Sequence, residues 1–375
     1  MWDRRFLRNL DFTLLWTVVG LIVIGLVMVF SATRFLGGDP YAFVEKQLVA
    51  VIIGLVGMTM IFFMDYRLSN MAFYTLYGIN ILMLAAVLVL GSKANGATSW
   101  INLGFMRFQP SEFSKLIMIL LLSKHLSDKS SLSSIWDLLS PFFLLLVPLL
   151  LILLQPDFGT ALVFVFFFFA MLYMAGAKGW HLSLIIFSGI FLITAVFVIH
   201  HFVPSSPMPF KDYQIKRLTS FMNPDEDPQG SGYNVRQAVI AVGSGRFFGK
   251  GLFHSTQGRL GFLPERHTDF IYAVFCEEWG FLGGFAMLIL FLIFTWRGLK
   301  ISQQAKERYG SLIAIGIMAM FLFHVLENAG MNMGIMPITG IPLPFISSGG
   351  SSMMANLFAV GFLENIWARR QKILF

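Results

Sequence analysis

Long apolar runs alternate with short polar connectors along the whole chain. Ten runs stand out, at 12–32, 44–64, 70–91, 111–126, 138–155, 159–176, 181–203, 270–296, 309–331 and 350–367. A helix of about twenty apolar residues crosses the ~30 Å hydrocarbon core of a bilayer. The pattern therefore predicts an all-α, polytopic membrane protein with ten transmembrane helices. The fourth run is the shortest and is interrupted by Lys115, Lys124 and His125. Two connectors are more than links. Residues 92–110 are rich in Gly and Asn and hold Trp100, and residues 204–269 form a large loop between spans seven and eight. That loop begins with Pro204, Pro207 and Pro209, which forbid a simple helix there. It continues through a charged stretch at 211–217 and a turn-rich stretch at 223–230, and offers an amphipathic segment from Asn234 to Val242. A connector this long in a compact protein is commonly functional. Residues 1–375 read as a single integral membrane domain, with 204–269 as an extracytoplasmic loop within it.

Composition agrees: 57% of the 375 residues are hydrophobic and 13% charged, against roughly 25% charged in soluble domains. With the N-terminus inside, the cytoplasmic segments hold fourteen Lys and Arg, whereas the short outer loops hold Arg34, Lys46, Lys93 and Arg107. This bias predicts cytoplasmic N- and C-termini. It also accounts for the net charge of +7. No basic stripe with interleaved aromatics points to nucleic acid. The single cysteine, Cys276, lies in an apolar run and leaves no disulfide within the chain. The first run is too long for a signal-peptide core and is not followed by a small-residue cleavage site, so it reads as a retained span.

Candidate chemistry concentrates where the large loop meets the eighth run. Glu265, Arg266, His267 and Asp269 gather at the seam, and charge beside hydrocarbon is expensive and commonly functional. Asp269 fits a general base at the membrane surface and equally an N-cap for the helix after it. Upstream, Gly243-Ser-Gly-Arg-Phe-Phe-Gly-Lys-Gly251 sets Arg246 and Lys250 among four glycines, with Arg259 and Arg266 following. Exposed backbone N–H groups with added cations suit a phosphate or pyrophosphate; anionic headgroups would suit them as well. Asp269 and Glu277 share roughly one helix face, so an acidic pair here could hold a divalent cation such as Mg or Mn or pair with Lys115, and a structural salt bridge is the alternative for Glu277 or Glu278. Lys115 either snorkels or meets a phosphate or an acid from another span. His324 and Glu327, three residues apart in the ninth run, suit a proton-coupled path or a mutual hydrogen bond. Asp157 suits an N-cap for the sixth span. Residues 336–352, with three prolines and three glycines, cannot continue a helix and predict a re-entrant or interfacial loop beside the site.

Several strings together resemble the SEDS family (shape, elongation, division and sporulation proteins), most closely its elongation branch. They are Gln109-Pro-Ser-Glu112, Gln155-Pro-Asp-Phe-Gly159, Gly249-Lys-Gly251, Leu263-Pro-Glu-Arg-His-Thr-Asp-Phe270, Glu277-Glu278, Thr339-Gly-Ile-Pro-Leu-Pro-Phe345 and Ser348-Gly-Gly-Ser351. The resemblance covers nearly the whole chain. It departs from the family pattern at Ser348, where a tyrosine is usual, and at Glu327, where an apolar residue is. It implies a ten-span peptidoglycan glycosyltransferase on the outer face of the bacterial inner membrane, polymerising lipid II during cell-wall elongation. It further implies a class B penicillin-binding protein and other elongation-complex membrane proteins as partners, with membrane lipid around the bundle. The family's essential aspartate falls on Asp269, and Trp100 and Lys115 match positions implicated in activity. Lys115, Trp100, Arg246, Lys250, Arg259, Glu265, Arg266 and His267 are thus the substrate-binding candidates around Asp269. A flippase for lipid-linked precursors, or a scaffold for a partner synthase, are the alternatives.

Overall fold

The computed structural model describes residues 9–35, 39, 41–94, 97–102, 104, 107–203, 212–223, 227 and 230–370. Arg4, Arg5, Arg8 and Lys372 of the charge pattern, and Pro204, Pro207, Pro209 and Lys211 of the large loop, lie outside them. Every one of the ten apolar runs is a helix: α1 (Phe12–Thr33), α2 (Ala42–Phe63), α3 (Phe73–Leu90), α4 (Pro110–Ser127), α5 (Leu139–Leu154), α6 (Phe158–Met174), α7 (Gly179–Phe202), α10 (Ile271–Gln304), α11 (Arg308–Asn332) and α12 (Gly350–Ala368). The large loop contributes two longer helices, α8 (Asp212–Met222) and α9 (Ser231–Ser244), the second enclosing the expected amphipathic segment, and one short helical turn at Thr256–Arg259. Helix starts follow local chemistry. Asp11 accepts from Leu14 N at 3.1 Å and caps α1. Pro110 stands in the first turn of α4, where its missing N–H costs nothing.

Seven helices are long and apolar enough to cross a membrane: α1, α2, α3, α5 with its 3-10 lead-in, α7, α10 and α11. Helix α6 is apolar but shorter. The other two, α4 and α12, are the polar ones, and both are wrapped by neighbours: Ser111, Glu112, Ser114 and Lys115 of α4 and Asn356, Glu364 and Asn365 of α12 are all buried. Their polar groups meet protein instead of lipid, which is the condition for tolerating them at membrane depth. Large exposed apolar residues cover the outer faces of the bundle, most densely on α7. The molecule is a multi-pass membrane protein.

Helix α11 runs through the middle, with twenty buried residues, and packs on α4, α6 and α10. Close approach elsewhere depends on small residues: a Cβ at Gly54 or Gly57 of α2 would overlap Leu357 or Phe358 of α12, at 2.5 and 2.0 Å. Between α3 and α4, β1 (Ser92–Ala94), β2 (Ala97–Asn102) and β3 (Arg107–Phe108) form an antiparallel sheet in the order β1-β2-β3. This sheet is an addition to the helical expectation.

Two irregular segments shape the site. Helix α10 breaks at Gly280 (φ 68°, ψ −166°). The break frees backbone groups that the glycine-rich stretch then satisfies. Lys250 N and Gly251 N donate to Glu277 O and Glu278 O, each at 3.0 Å, while Phe281 N and Leu282 N donate to Arg246 O and Phe247 O at 2.8 and 3.2 Å. The glycines serve this docking, since a Cβ at Gly249 would lie 2.1 Å from Glu278 O. The second segment is the re-entrant loop between α11 and α12. Its apolar side chains Ile341, Leu343, Phe345 and Ile346 are buried, and polar side chains meet its backbone. Gln47 Nε2 donates to Ser347 O (3.2 Å), Gln47 Oε1 accepts from Gly349 N (3.0 Å), and Asn328 Nδ2 donates to Ile341 O (2.8 Å). Irregular backbone at membrane depth needs such partners.

Candidate active site

A cavity of about 310 Å³ opens between β2, the start of α4, the α5–α6 turn, α11, the re-entrant loop and the turn before α10. Of the sequence candidates, Trp100, Lys115, Glu265, His267 and Asp269 line it. Glu112, Asp157, Arg217 and His324 join them.

Asp269 sits on a tight turn. The carbonyl of Glu265, a residue at φ 49°, accepts from Thr268 N and Asp269 N, both at 3.1 Å. The Asp269 carbonyl in turn accepts from Asn328 Nδ2 and Asn332 Nδ2 of α11, each at 3.0 Å. The N-cap of α10 falls on Phe270, which makes no side-chain cap bond. The carboxyl of Asp269 is directed at the re-entrant loop, where a Cβ at Gly340 (φ 80°) would stand 3.4 Å from Oδ2. Burial, and next the nearby Glu265, push this carboxyl up to about 6, against the pull of Arg217 and Thr268. His267 packs edge-on against Phe43 at 4.8 Å, and burial lowers its basicity. Asp157 caps α6 as expected, accepting from Thr160 N and Oγ1 at 3.0 and 2.8 Å. Burial raises its carboxyl, with the Thr160 bonds and Lys115 opposing.

Lys115 is 2% exposed and forms an ion pair with Glu112 Oε1 at 2.8 Å. Its Nζ also lies 3.0 Å from His324 Nε2. Lys115 does not snorkel, and its acid comes from its own helix rather than from Glu277. His324 and Glu327, for which a mutual hydrogen bond is one of the two sequence readings, diverge: His324 turns to Lys115, and Glu327 accepts from the Thr339 hydroxyl.

The remaining cationic candidates stand elsewhere. Arg266 is buried and donates to Ala32 O (2.8 Å) and Gly258 O, pinning the turn to the end of α1. Lys250 pairs with Glu277 at 2.5 Å, and Glu277 also accepts from Ser255, Thr256 and Gln257. Arg246 and Arg259 are exposed, Arg259 lying 5.7 Å from the Phe35 ring centroid. None of these four lines the cavity. The glycine-rich N–H groups offered for a phosphate are spent on the broken helix. Asp269 and Glu277 do not share a site, and among the described residues no group of three or more His, Cys, Asp or Glu could hold a metal ion.

Sequence reasoning passed over Arg217, Thr339, Asn328 and Asn332. Arg217 Nη1 donates to Thr339 O at 3.1 Å, which holds the large loop against the re-entrant one. The asparagines did carry a signal: with His324 they recur every fourth residue, on one face of α11.

The profile of the FtsW/RodA/SpoVE "cell cycle protein" family matches residues 12–372. The chain belongs to this family. Among its relatives, stage V sporulation protein E of Bacillus subtilis (strain 168) is 39% identical over 364 residues, spanning 95% of this chain and 96% of that protein. The peptidoglycan glycosyltransferase MrdB of Escherichia coli (strain K12) is 33% identical over 375 residues, spanning 99% and 96%. A solved chain from work on the structural coordination of polymerization and crosslinking by a peptidoglycan synthase complex superimposes with a TM-score of 0.81 at 32% identity, covering 96% of this chain and 98% of that one. Family membership thus extends over both irregular segments and all the helices around the cavity.

Proposed function

We propose that the chain is a peptidoglycan glycosyltransferase that polymerises lipid II during cell-wall elongation, with Asp269 as general base. The observation that carries this reading is the placement of Asp269. Its half-buried carboxyl shares one cavity with three cationic side chains, Arg107, Lys115 and Arg217, and its affinity for a proton, at about 6, lies close to working pH. A base so tuned is ionised at neutral pH and still takes a proton readily. In the proposed step Asp269 accepts the proton of the acceptor sugar's C4 hydroxyl. That oxygen forms a bond to the anomeric carbon of the donor. The bond from this carbon to the phosphate oxygen breaks, and the lipid pyrophosphate leaves with the electron pair. Charge develops on the departing phosphate, where Lys115 and Arg217 supply opposite charge in a site sheltered from bulk water. Trp100 and His267 offer apolar and hydrogen-bonding walls for sugar rings.

A divalent cation is not required by this scheme, since Glu277, the carboxylate paired with Asp269 in the sequence reading, is held by Lys250 and its hydroxyl neighbours. The charge bias supports cytoplasmic termini and a cavity that opens on the outer face of the bacterial cytoplasmic membrane. The family and the peptidoglycan synthase relative support a class B penicillin-binding protein as partner, with other elongation-complex membrane proteins around it. Polymerisation of lipid II by purified chain tests the reading. Wild type should yield glycan strands and Asp269→Ala almost none; equal product from both would remove Asp269 from the chemistry. Lipid II carried across liposomes by a chain that forms no polymer would establish a flippase instead.

A further inference from the structure

Lys115 is held from two sides, and one of them is unaccounted for by the proposed chemistry. Glu112, one turn back on α4, supplies the charge partner. The other partner, His324, comes from α11, a different helix, 209 residues away in sequence. His324 is itself 3% exposed, and its Nδ1 lies 2.7 Å from Met320 O. A carbonyl can only accept, so Nδ1 carries the proton and the neutral ring leaves Nε2 as an acceptor. The ammonium of Lys115 fills that acceptor at 3.0 Å. Both ring nitrogens are then satisfied, and two of the three Lys115 N–H bonds have fixed directions. The third is left for the cavity, which Lys115, Glu112 and His324 all line.

We propose that His324 is a positioning residue for the glycosyl transfer: as a neutral imidazole acceptor it fixes Lys115 so that its remaining N–H addresses the departing pyrophosphate. This rests on the function proposed above. Lysine is a point charge on a flexible stem, and without a second fixed partner its ammonium would swing about the Glu112 carboxylate. The groups facing this pair are Glu112 on its own helix and Asp157 at the start of α6, whose carboxyl feels the Lys115 charge. A second proton on His324 would replace the acceptor with a donor and set two cations against each other. The arrangement therefore works with the ring neutral only.

The geometry makes a specific demand on replacements. The amide oxygen of a glutamine reaches where Nε2 stands, whereas that of an asparagine reaches only as far as Nδ1. Lipid II polymerisation is measured with purified full-length chain carrying His324→Gln, His324→Asn or His324→Ala, beside wild type and Asp269→Ala. His324→Ala and His324→Asn should lower kcat roughly ten- to hundredfold with KM changed less than threefold, because the lost interaction matters most in the transition state. His324→Gln should return kcat to within about threefold of wild type. Melting temperatures identify any variant that fails to fold; in that event the comparison of Gln with Asn, alike in polarity, still decides. Equal kcat for Gln and Asn, or wild-type kcat for Ala, overturns the inference. Should wild type and Asp269→Ala be equally inactive, it is the glycosyltransferase reading that falls.

Discussion

Asp269 is held in a place where an ionised carboxyl costs stability, and Asp269→Asn separates that cost from the proposed role in catalysis. Its carboxyl is displaced from 3.8 to about 6, with burial as the first cause and Glu265 as the second. At 1.36 kcal/mol for each pH unit, this displacement corresponds to about 3 kcal/mol. Because the carboxyl is partly open to the cavity, solvent screening reduces the figure to an expected ~1–2 kcal/mol. The sign follows from linkage. A carboxyl whose affinity for protons is higher in the folded chain makes the folded state bind more protons between pH 3.8 and about 6. Stability falls as pH rises through that window, and above it the full cost is present. An asparagine never ionises and escapes the cost. Asp269→Asn should therefore melt a few degrees above wild type at pH 8, and the two should converge towards pH 4.5. The same variant should lose nearly all lipid II polymerisation. In wild type the rate should fall as pH drops below about 6, as the base becomes protonated. Melting curves in detergent at three pH values, run beside a polymerisation assay, check all of this. A variant no more stable than wild type at pH 8, or a gap that does not change with pH, would refute the account of a destabilised carboxylate; retained polymerisation would refute its role as base.

Other perturbations probe the surroundings. Lys115→Met leaves Glu112, 3% exposed, without its partner, which should cost about 3–5 kcal/mol; adding Glu112→Gln should recover most of the melting temperature and none of the polymerisation. Gly280→Ala forces a side chain into φ 68°, with its Cβ 2.3 Å from Gly249 N, and should cost at least ~2 kcal/mol, read as a lowered melting temperature. Arg246→Ala and Arg259→Ala, both outside the cavity, should leave turnover within about twofold, whereas a tenfold loss in either would point to an anion site on the outer surface.

The helices were legible because hydrocarbon imposes length and composition on whatever faces it, and because caps such as Asp11 and Asp157 mark helix starts locally. The turn bearing Asp269 was legible for a related reason: four ionisable residues gathered at a membrane boundary have no cheap structural explanation. The glycine-rich stretch was not. Glycines interleaved with Arg246 and Lys250 describe an anion cradle and a backbone dock equally well, and the choice depended on a helix break at Gly280 that nothing in an apolar run announces. Nor was the contact of Lys115 with His324, which joins helices distant in sequence and depends on how α4 and α11 cross. The asparagines of α11 were readable in spacing alone, yet their target, the Asp269 carbonyl, lies on another element.

The polarity of α4 bears on how the protein is made. A segment carrying Glu112, Lys115, Lys124 and His125 is a poor candidate to leave the translocation machinery for lipid unaided. Its buried partner His324 belongs to α11, which emerges from the ribosome nearly two hundred residues afterwards. The contact between Lys115 and His324 can therefore form only once most of the chain has been made.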